Sequence, residues 1–336
     1  MSEASSEDTF ISRWFAALAG PAGLGLRDDA ALFTPPPGQD LVVTVDTLVA
    51  GVHFFANDPA ASIARKALRV NLSDLAAKGA EPAGFLLSFA IPQDAQSPVR
   101  TDVWLAAFSS ALGEDALKYA CPLLGGDTVS TPGPLTLSVT AFGTLPKGSM
   151  ARRTGAKPGD LVFVSGTIGD AALGLQVLQA SASAGITGLR DVERDYLVQR
   201  YREPLPRHVL AGAVRMFANG AMDVSDGLAG DLAKMMRVSG ASAQINLAQV
   251  PLSSAASAAL QADPSLLDTI VTGGDDYEIL CTISSARAAG FKAAAHVAGV
   301  AVTNIGIVDE AAGQDAVFLD AQGREKKFQR ASYSHV

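Results

Sequence analysis

Six short segments of this 336-residue chain deliver aspartate at the end of an apolar run or in a glycine-rich turn: "LRDDAALF", "VTVDT", "NLSDL", "LLGGDT", "MDVSDG" and "TGGDDYE". This layout constrains the fold more than any other feature. A carboxylate set among apolar neighbours is costly unless it is paired, hydrogen-bonded or bound to a cation. No Lys or Arg lies within two residues of Asp46, Asp127, Asp223 or Asp226, so partners must come from elsewhere in space. The chain also holds 25 Asp against 9 Glu. The short carboxylate is both a turn or N-cap residue and a rigid ligand for a hard cation. Asp58 before Pro59 reads as an N-cap, and Asp170 in "GTIGDAALGL" and Asp226 before Gly227 carry the same reading as an alternative. Asp231, one turn into the helix that follows "MDVSDG", reads as solvent-facing. Asp74 differs, because it falls inside a helical pattern, where Asp is a poor former. Asn71 lies one turn before it and Lys78 about one turn after, so that helix face is polar and points to a site.

The length favours two domains. The stretch "LPKGSMARRTGAKPGD", rich in Pro, Gly and basic residues, sets the boundary near residue 147, giving domains 1–147 and 148–336. Both halves mix β-branched runs with helical patterns, so the class is α/β (α+β). A strand is expected at about 40 to 46, and "CPLLGGDT" reads as a short buried strand ending in a turn. A net charge of −8 argues against a nucleic-acid partner. No run of about 18 apolar residues occurs, so no membrane span is expected. The start "MSEASSEDTF" lacks the pattern of a signal peptide, and the expected location is the cytoplasm. Cys121 and Cys281 sit in apolar runs and read as buried thiols. The four scattered histidines do not have the spacing of a zinc site.

Glycines beside the carboxylates, in "GGDT", "SDG" and "GGDDYE", let backbone approach a phosphate closely. Mg²⁺ is held by a few carboxylates together with substrate phosphates. The composite points to nucleotide-phosphate chemistry. The P-loop, the dinucleotide-binding glycine motif, the protein-kinase motifs and the G-x-S-x-G elbow are all missing from the sequence.

In the order "RDDAALF", "TVDTLVAGVHF", "KALRVNLSDLAAKGA", "GGDT", "RTGAKPGDLVFVSGTIGDAALGL", "MDVSDGLAGDL" and "GGDDYEIL", over roughly residues 10 to 310, the chain resembles the thiamine-monophosphate kinases. These belong to the superfamily of aminoimidazole-ribonucleotide synthetase and selenophosphate synthetase. The resemblance implies ATP-dependent transfer of a phosphoryl group to thiamine monophosphate, assisted by several Mg²⁺ ions. It also implies a homodimer whose N-terminal ATP- and Mg-binding domains pair their sheets into a barrel, with ATP in the cleft between domains. Carried over by motif, the metal ligands are Asp29, Thr44, Asp46, Asp74, Asp127, Asp223 and Asp226. Asp46, Asp127 and Arg153 form the expected catalytic set. Gly126, Asp127, Arg153 and Ser225 bind the nucleotide, while His53, Asp275 and Tyr333 hold the thiamine substrate. Four features depart from the family pattern: Arg27 stands for a usual Gly, Val45 for a Thr or Ser, "GGDTVSTPGP" lacks the Arg often following "GGDT" and is longer there, and Asp275 stands for a Glu. The Val45 departure puts one hydroxyl contact to metal in question. The alternatives are another ATP-dependent enzyme of the superfamily and a non-catalytic ATP- and metal-binding dimer.

Overall fold

A computed structural model describes residues 6–180, 186–310 and 315–328, with side chains from residue 9 onward; Tyr333 lies outside the described residues. The chain forms two compact units, one of residues up to 75 with 80–148, the other of residues 76–79 with those from 149 onward.

The first unit contains α1 (Ser6–Trp14), β1 (Gln39–Val49), α2 (Ala60–Ala77, its last two residues in the second unit), β2 (Glu81–Pro92), α3 (Asp102–Lys118), β3 (Leu123–Thr131) and β4 (Thr136–Pro146). The sheet runs β1-β4-β2-β3, antiparallel except for the β2–β3 pair. Strand side chains alternate between faces. On β1, Val42 and Leu48 are buried, whereas Leu41, Val43 and Val45 are 41, 54 and 60 % exposed. The buried face is covered by helices. Phe89 of β2 stacks on Trp104 and Phe108 of α3, with ring centroids 6.3 and 5.2 Å apart. Between α2 and α3, Arg69 Nε and Nη2 donate to the two carboxylate oxygens of Asp115 at 2.6 and 2.9 Å, and both residues are buried.

Two expectations need correcting here. β1 is longer than 40–46 because it pairs with β4 along its whole length. The "GGDT" segment is no turn. Gly125, Gly126 and Asp127 continue the ladder opposite Leu86, Leu87 and Ser88. Glycine permits this close approach, since a Cβ on Gly126 would lie 1.9 Å from the Leu87 carbonyl oxygen. Within the chain this four-stranded sheet is open, and no closed barrel forms among the described residues.

The second unit contains β5 (Asp160–Ser165), α4 (Asp170–Gln179), α5 (Asp191–Arg202), α6 (Ala211–Phe217), β6 (Gly220–Val224), α7 (Leu228–Ser239), β7 (Ala241–Asn246), α8 (Ser254–Ala262), α9 (Leu266–Thr272), β8 (Glu278–Ser284), α10 (Ala288–Val297), β9 (Val302–Glu310), β10 (Ala316–Leu319) and β11 (Glu325–Lys326). Its seven-stranded mixed sheet runs β11-β10-β7-β9-β5-β8-β6. Alternation on β5 and β8 builds two cores. Val162, Val164 and Leu280 join the apolar faces of α4, α5, α7, α8 and α9. Phe163, Ile279 and Cys281 join those of α6 and α10. No described helix is long and apolar enough to cross a membrane.

The Arg69–Asp115 pair sets a test of the first unit. Asp115→Ala strips a buried guanidinium of its carboxylate partner and is expected to lower stability by about 3–5 kcal/mol, read from urea unfolding. Replacing both partners by apolar residues of similar volume should recover most of that loss.

Candidate functional site

In the first unit, strand alternation decides which donors meet. Thr44 and Asp46 lie two apart on the helix-covered face of β1. Thr44 Oγ1 donates to Asp74 Oδ2 of α2 at 2.5 Å. One turn before Asp74, buried Asn71 gives its Nδ2 to the Ala67 carbonyl at 3.2 Å. Its Oδ1 is buried without a hydrogen-bond partner. Hydroxyl, carboxylate and orphaned amide oxygen are all hard donors, a set that fits Mg²⁺. Val45 projects from the opposite, open face, so its lack of a hydroxyl takes nothing from this cluster.

Asp127 falls on another face. By register it follows Ser88, Ser138 and Thr47 across the sheet, the side of Val45 rather than of Asp46. With Asp28, Asp29 and Gly126 it lines a cavity of about 710 Å³ walled in part by Phe33 and Phe142. His53 lies in the turn after β1. Its Nδ1 accepts from the Val49 amide at 3.0 Å, and its carbonyl accepts from Lys66 Nζ at 2.9 Å. Lys66 itself is only 1 % exposed, so the turn carrying His53 is pinned from within the core.

In the second unit the stretch "AMDVSDGLAGDL" forms β6, a turn and the start of α7. β6 is wholly buried and pairs with β8, placing Asp223 opposite Ile279. Asp231 does not face solvent, contrary to the sequence reading. It is fully buried. Its Oδ2 accepts from the amides of Ser225 at 3.0 Å and Asp226 at 2.9 Å, and its Oδ1 takes Lys234 Nζ at 3.0 Å. The reason lies at the helix start, where Gly227 has no side chain to offer the turn, so a carboxylate from within α7 reaches back to it. Lys234 Nζ also pairs with Asp226 Oδ2, which makes Asp226 an ion-pair partner. Burial raises the Asp231 pKa against the pull of Lys234. Burial draws the Lys234 pKa down, but its bonds to Asp226 and Asp231 together lift it above the ordinary lysine value.

The "GGDD" loop is tied to this turn through backbone. The Asp275 amide donates to Ser225 O, and the Tyr277 amide to Val224 O, each at 2.8 Å. Gly274 sits where a Cβ would come within 2.3 Å of Ser225 O. Asp275 and Tyr277 take left-handed backbone, with φ of 72° and 53°, a conformation costly for side-chain-bearing residues. Ser225, Asp226 and Asp275 are thereby carried on one scaffold. Arg153 lies exposed in a short 3₁₀ turn, Arg153–Gly155, and its carbonyl accepts from Ser239 Oγ at 3.2 Å.

The sequence reading missed the residues behind the loop. Asp276 is fully buried and accepts from the Gly169 and Ala171 amides at 2.7 and 3.3 Å. Glu278 gathers Arg200, Arg207 and Ser165 Oγ at 3.1, 2.5 and 2.6 Å. Asp170 lies inside α4 and caps nothing. It accepts from Thr167, Tyr196 and Ser253 hydroxyls at 2.6, 2.9 and 2.5 Å. The available signal was a second carboxylate in "GGDDYE" running straight into an apolar strand. Among the described residues, no three His, Cys, Asp or Glu side chains converge closely enough to hold a metal.

Residues 27–145 match the family described as AIR synthase related protein, N-terminal domain, and residues 157–318 match its C-terminal domain. A thiamine-monophosphate kinase of Caulobacter vibrioides is 41 % identical over 94 % of this chain and 86 % of its own. The crystal structure of thiamine-monophosphate kinase from Stenotrophomonas maltophilia superposes with a TM-score of 0.79 at 35 % identity, covering 95 % of this chain and 96 % of that one. The structure of AaThiL complexed with AMPPCP and TMP superposes with a TM-score of 0.76 at 28 % identity, covering 92 % and 91 %.

Asp276 gives a test by pH. Burial raises its pKa well above the ordinary aspartate value, against the amide of Gly169, so the folded state holds the proton that the unfolded state releases. Its contribution to stability is therefore complete below the ordinary aspartate pKa and is lost as pH rises toward the folded value. Asp276→Asn removes that dependence. Urea midpoints measured across this range should show the variant gaining on wild type as pH rises.

Proposed function

The chain belongs to the AIR-synthase-related family and, within it, to the thiamine-monophosphate kinases; from that premise we infer that it transfers the γ-phosphoryl group of ATP to thiamine monophosphate, giving thiamine diphosphate and ADP. Beyond family membership, the observation that carries this reading is the Thr44–Asp74 cluster with its orphaned Asn71 oxygen. Hard oxygen donors are gathered there, and the reaction needs no general base beside them.

The acceptor is a phosphate oxygen, already anionic near neutral pH. No proton has to be removed from it. The difficulty is repulsion between two charged phosphate groups and the charge spread over the transferring group. Thr44, Asp46 and Asp74 on one face of the first sheet, Asp29 and Asp127 on the other side, and Asp223 and Asp226 in the second unit are the residues that would hold several Mg²⁺ ions together with substrate phosphate. When bound, Mg²⁺ neutralises phosphate charge and aligns the reacting oxygens. Arg153 pairs with a phosphate oxygen, and Asp46, Asp127 and Arg153 form the catalytic set. Gly126 and Ser225 bring backbone to the nucleotide. His53 and Asp275 hold the thiamine moiety, and Tyr333, outside the described residues, is the third residue assigned to the thiamine substrate. Asp275 is shorter than the usual Glu, and its Oδ1 accepts the Tyr277 hydroxyl at 3.2 Å, which fixes its direction.

The N-terminal domain, residues 1–147, also serves dimerisation. Its open sheet face exposes Leu41, Val43 and Val45 side by side, an apolar strip that a second copy would cover by pairing sheets into a barrel. Buried free thiols at Cys121 and Cys281 suit a reducing cytoplasm.

Incubation with ATP, Mg²⁺ and thiamine monophosphate should give thiamine diphosphate, followed by HPLC. Its absence, with no ADP formed, would remove the assignment. Asp46→Asn and Asp223→Asn should each reduce turnover at least about 100-fold, the scale for losing one electrostatic element of a phosphoryl-transfer site, with the circular dichroism spectrum unchanged. In sedimentation, Val45→Asp should shift the protein toward monomer. An unchanged dimer would exclude this face as the contact.

A further inference from the structure

Lys234 has no role in the chemistry set out above, yet its ammonium sits on one of the proposed metal ligands. Its Nζ contacts Asp226 Oδ2 and, at 3.0 Å, Asp231 Oδ1. We propose that Lys234 is the resident counter-cation of Asp226, holding that carboxylate in the metal-free turn and yielding it when a divalent cation arrives. The inference rests on the reading of Asp226 as a metal ligand.

Three features carry it. First, the lysine has somewhere to go. Asp231 lies three residues earlier on α7 and keeps the ammonium anchored through Oδ1 after Oδ2 of Asp226 is released. The Lys234 side chain is 35 % exposed, so its head can turn toward water without crossing the core. Second, the exchange leaves the turn in place. The Ser225 and Asp226 amides bond to Asp231 Oδ2, a different atom from the one that holds the lysine. Third, Asp226 is 31 % exposed at its side chain, open enough for a hydrated cation to reach, whereas Asp231 is closed to one. The pair therefore divides labour. Asp231 fixes geometry and keeps the cation near, and Asp226 changes partner.

The consequence is that the protein itself competes with the metal. A unit positive charge a few ångströms from an arriving divalent ion weakens binding by about tenfold or more near a protein surface. The test is a Mn²⁺ titration of the full-length protein without nucleotide, followed by EPR, for wild type, Lys234→Met, Lys234→Arg and Asp226→Asn. Lys234→Met should tighten Mn²⁺ binding about tenfold at a site that Asp226→Asn weakens, while Lys234→Arg stays near wild type. The thermal midpoint of Lys234→Met should fall without metal and recover on adding Mn²⁺. Unchanged or weaker binding in Lys234→Met, with the site weakened in Asp226→Asn, overturns the counter-cation role alone. Unchanged binding in Asp226→Asn overturns the ligand assignment beneath it. Thiamine diphosphate formation is read separately, so failure of the kinase reading is distinguishable from both. If Lys234→Met does not fold, Lys234→Gln supplies the neutral variant and carries the same expectation.

Discussion

A buried carboxylate that accepts two backbone amides is the interaction on which the loops of the second unit depend. It occurs twice. Asp231 takes the amides of Ser225 and Asp226, and Asp276 takes those of Gly169 and Ala171. In each case the amides belong to a turn at the start of a helix, where backbone donors have no intrahelical partner. A carboxylate satisfies two at once and sets the direction of the chain. The desolvation cost is partly offset, by Lys234 at Asp231 and by Arg200 near Asp276, but burial still raises both carboxyls. Remove either acid and the neighbouring turn loses two backbone hydrogen bonds to a buried carboxylate.

The first unit solves the same problem with strand geometry. Alternation sends Thr44 and Asp46 to the helix-covered side of β1 and Val45 to the open side. A single strand thus serves polar chemistry and apolar packing without compromise between them. The glycines of "GGDT" are part of this economy, because they let β3 run close along β2 and carry Asp127 to the rim of a cavity.

Much of this was readable in the chain. The apolar runs located the strands, and the placement of Asp74 inside a helix marked a polar face that now holds Thr44 and Asn71. Asp231 was misread because its helical position fits a solvent-facing residue equally well. What decides its fate is the absence of a capping side chain at Gly227, and that matters only once the turn is folded back. Asp276 and Glu278 were missed for a related reason. Their partners Gly169, Arg200 and Arg207 are 71 to 107 residues away in sequence. Local spacing carries no trace of such pairings.

The backbone bonds from Asp275 and Tyr277 to Ser225 and Val224 have an evolutionary consequence. The "GGDD" loop and the turn at Ser225 share their hydrogen bonds, and Gly274 leaves no slack between them. The "GGDD" loop cannot be reshaped by insertion or by bulkier residues without disturbing the turn at Ser225. Change has to come through side chains at fixed backbone positions. Side-chain variation at position 275 is the kind this arrangement permits, and loop-length variation is the kind it forbids.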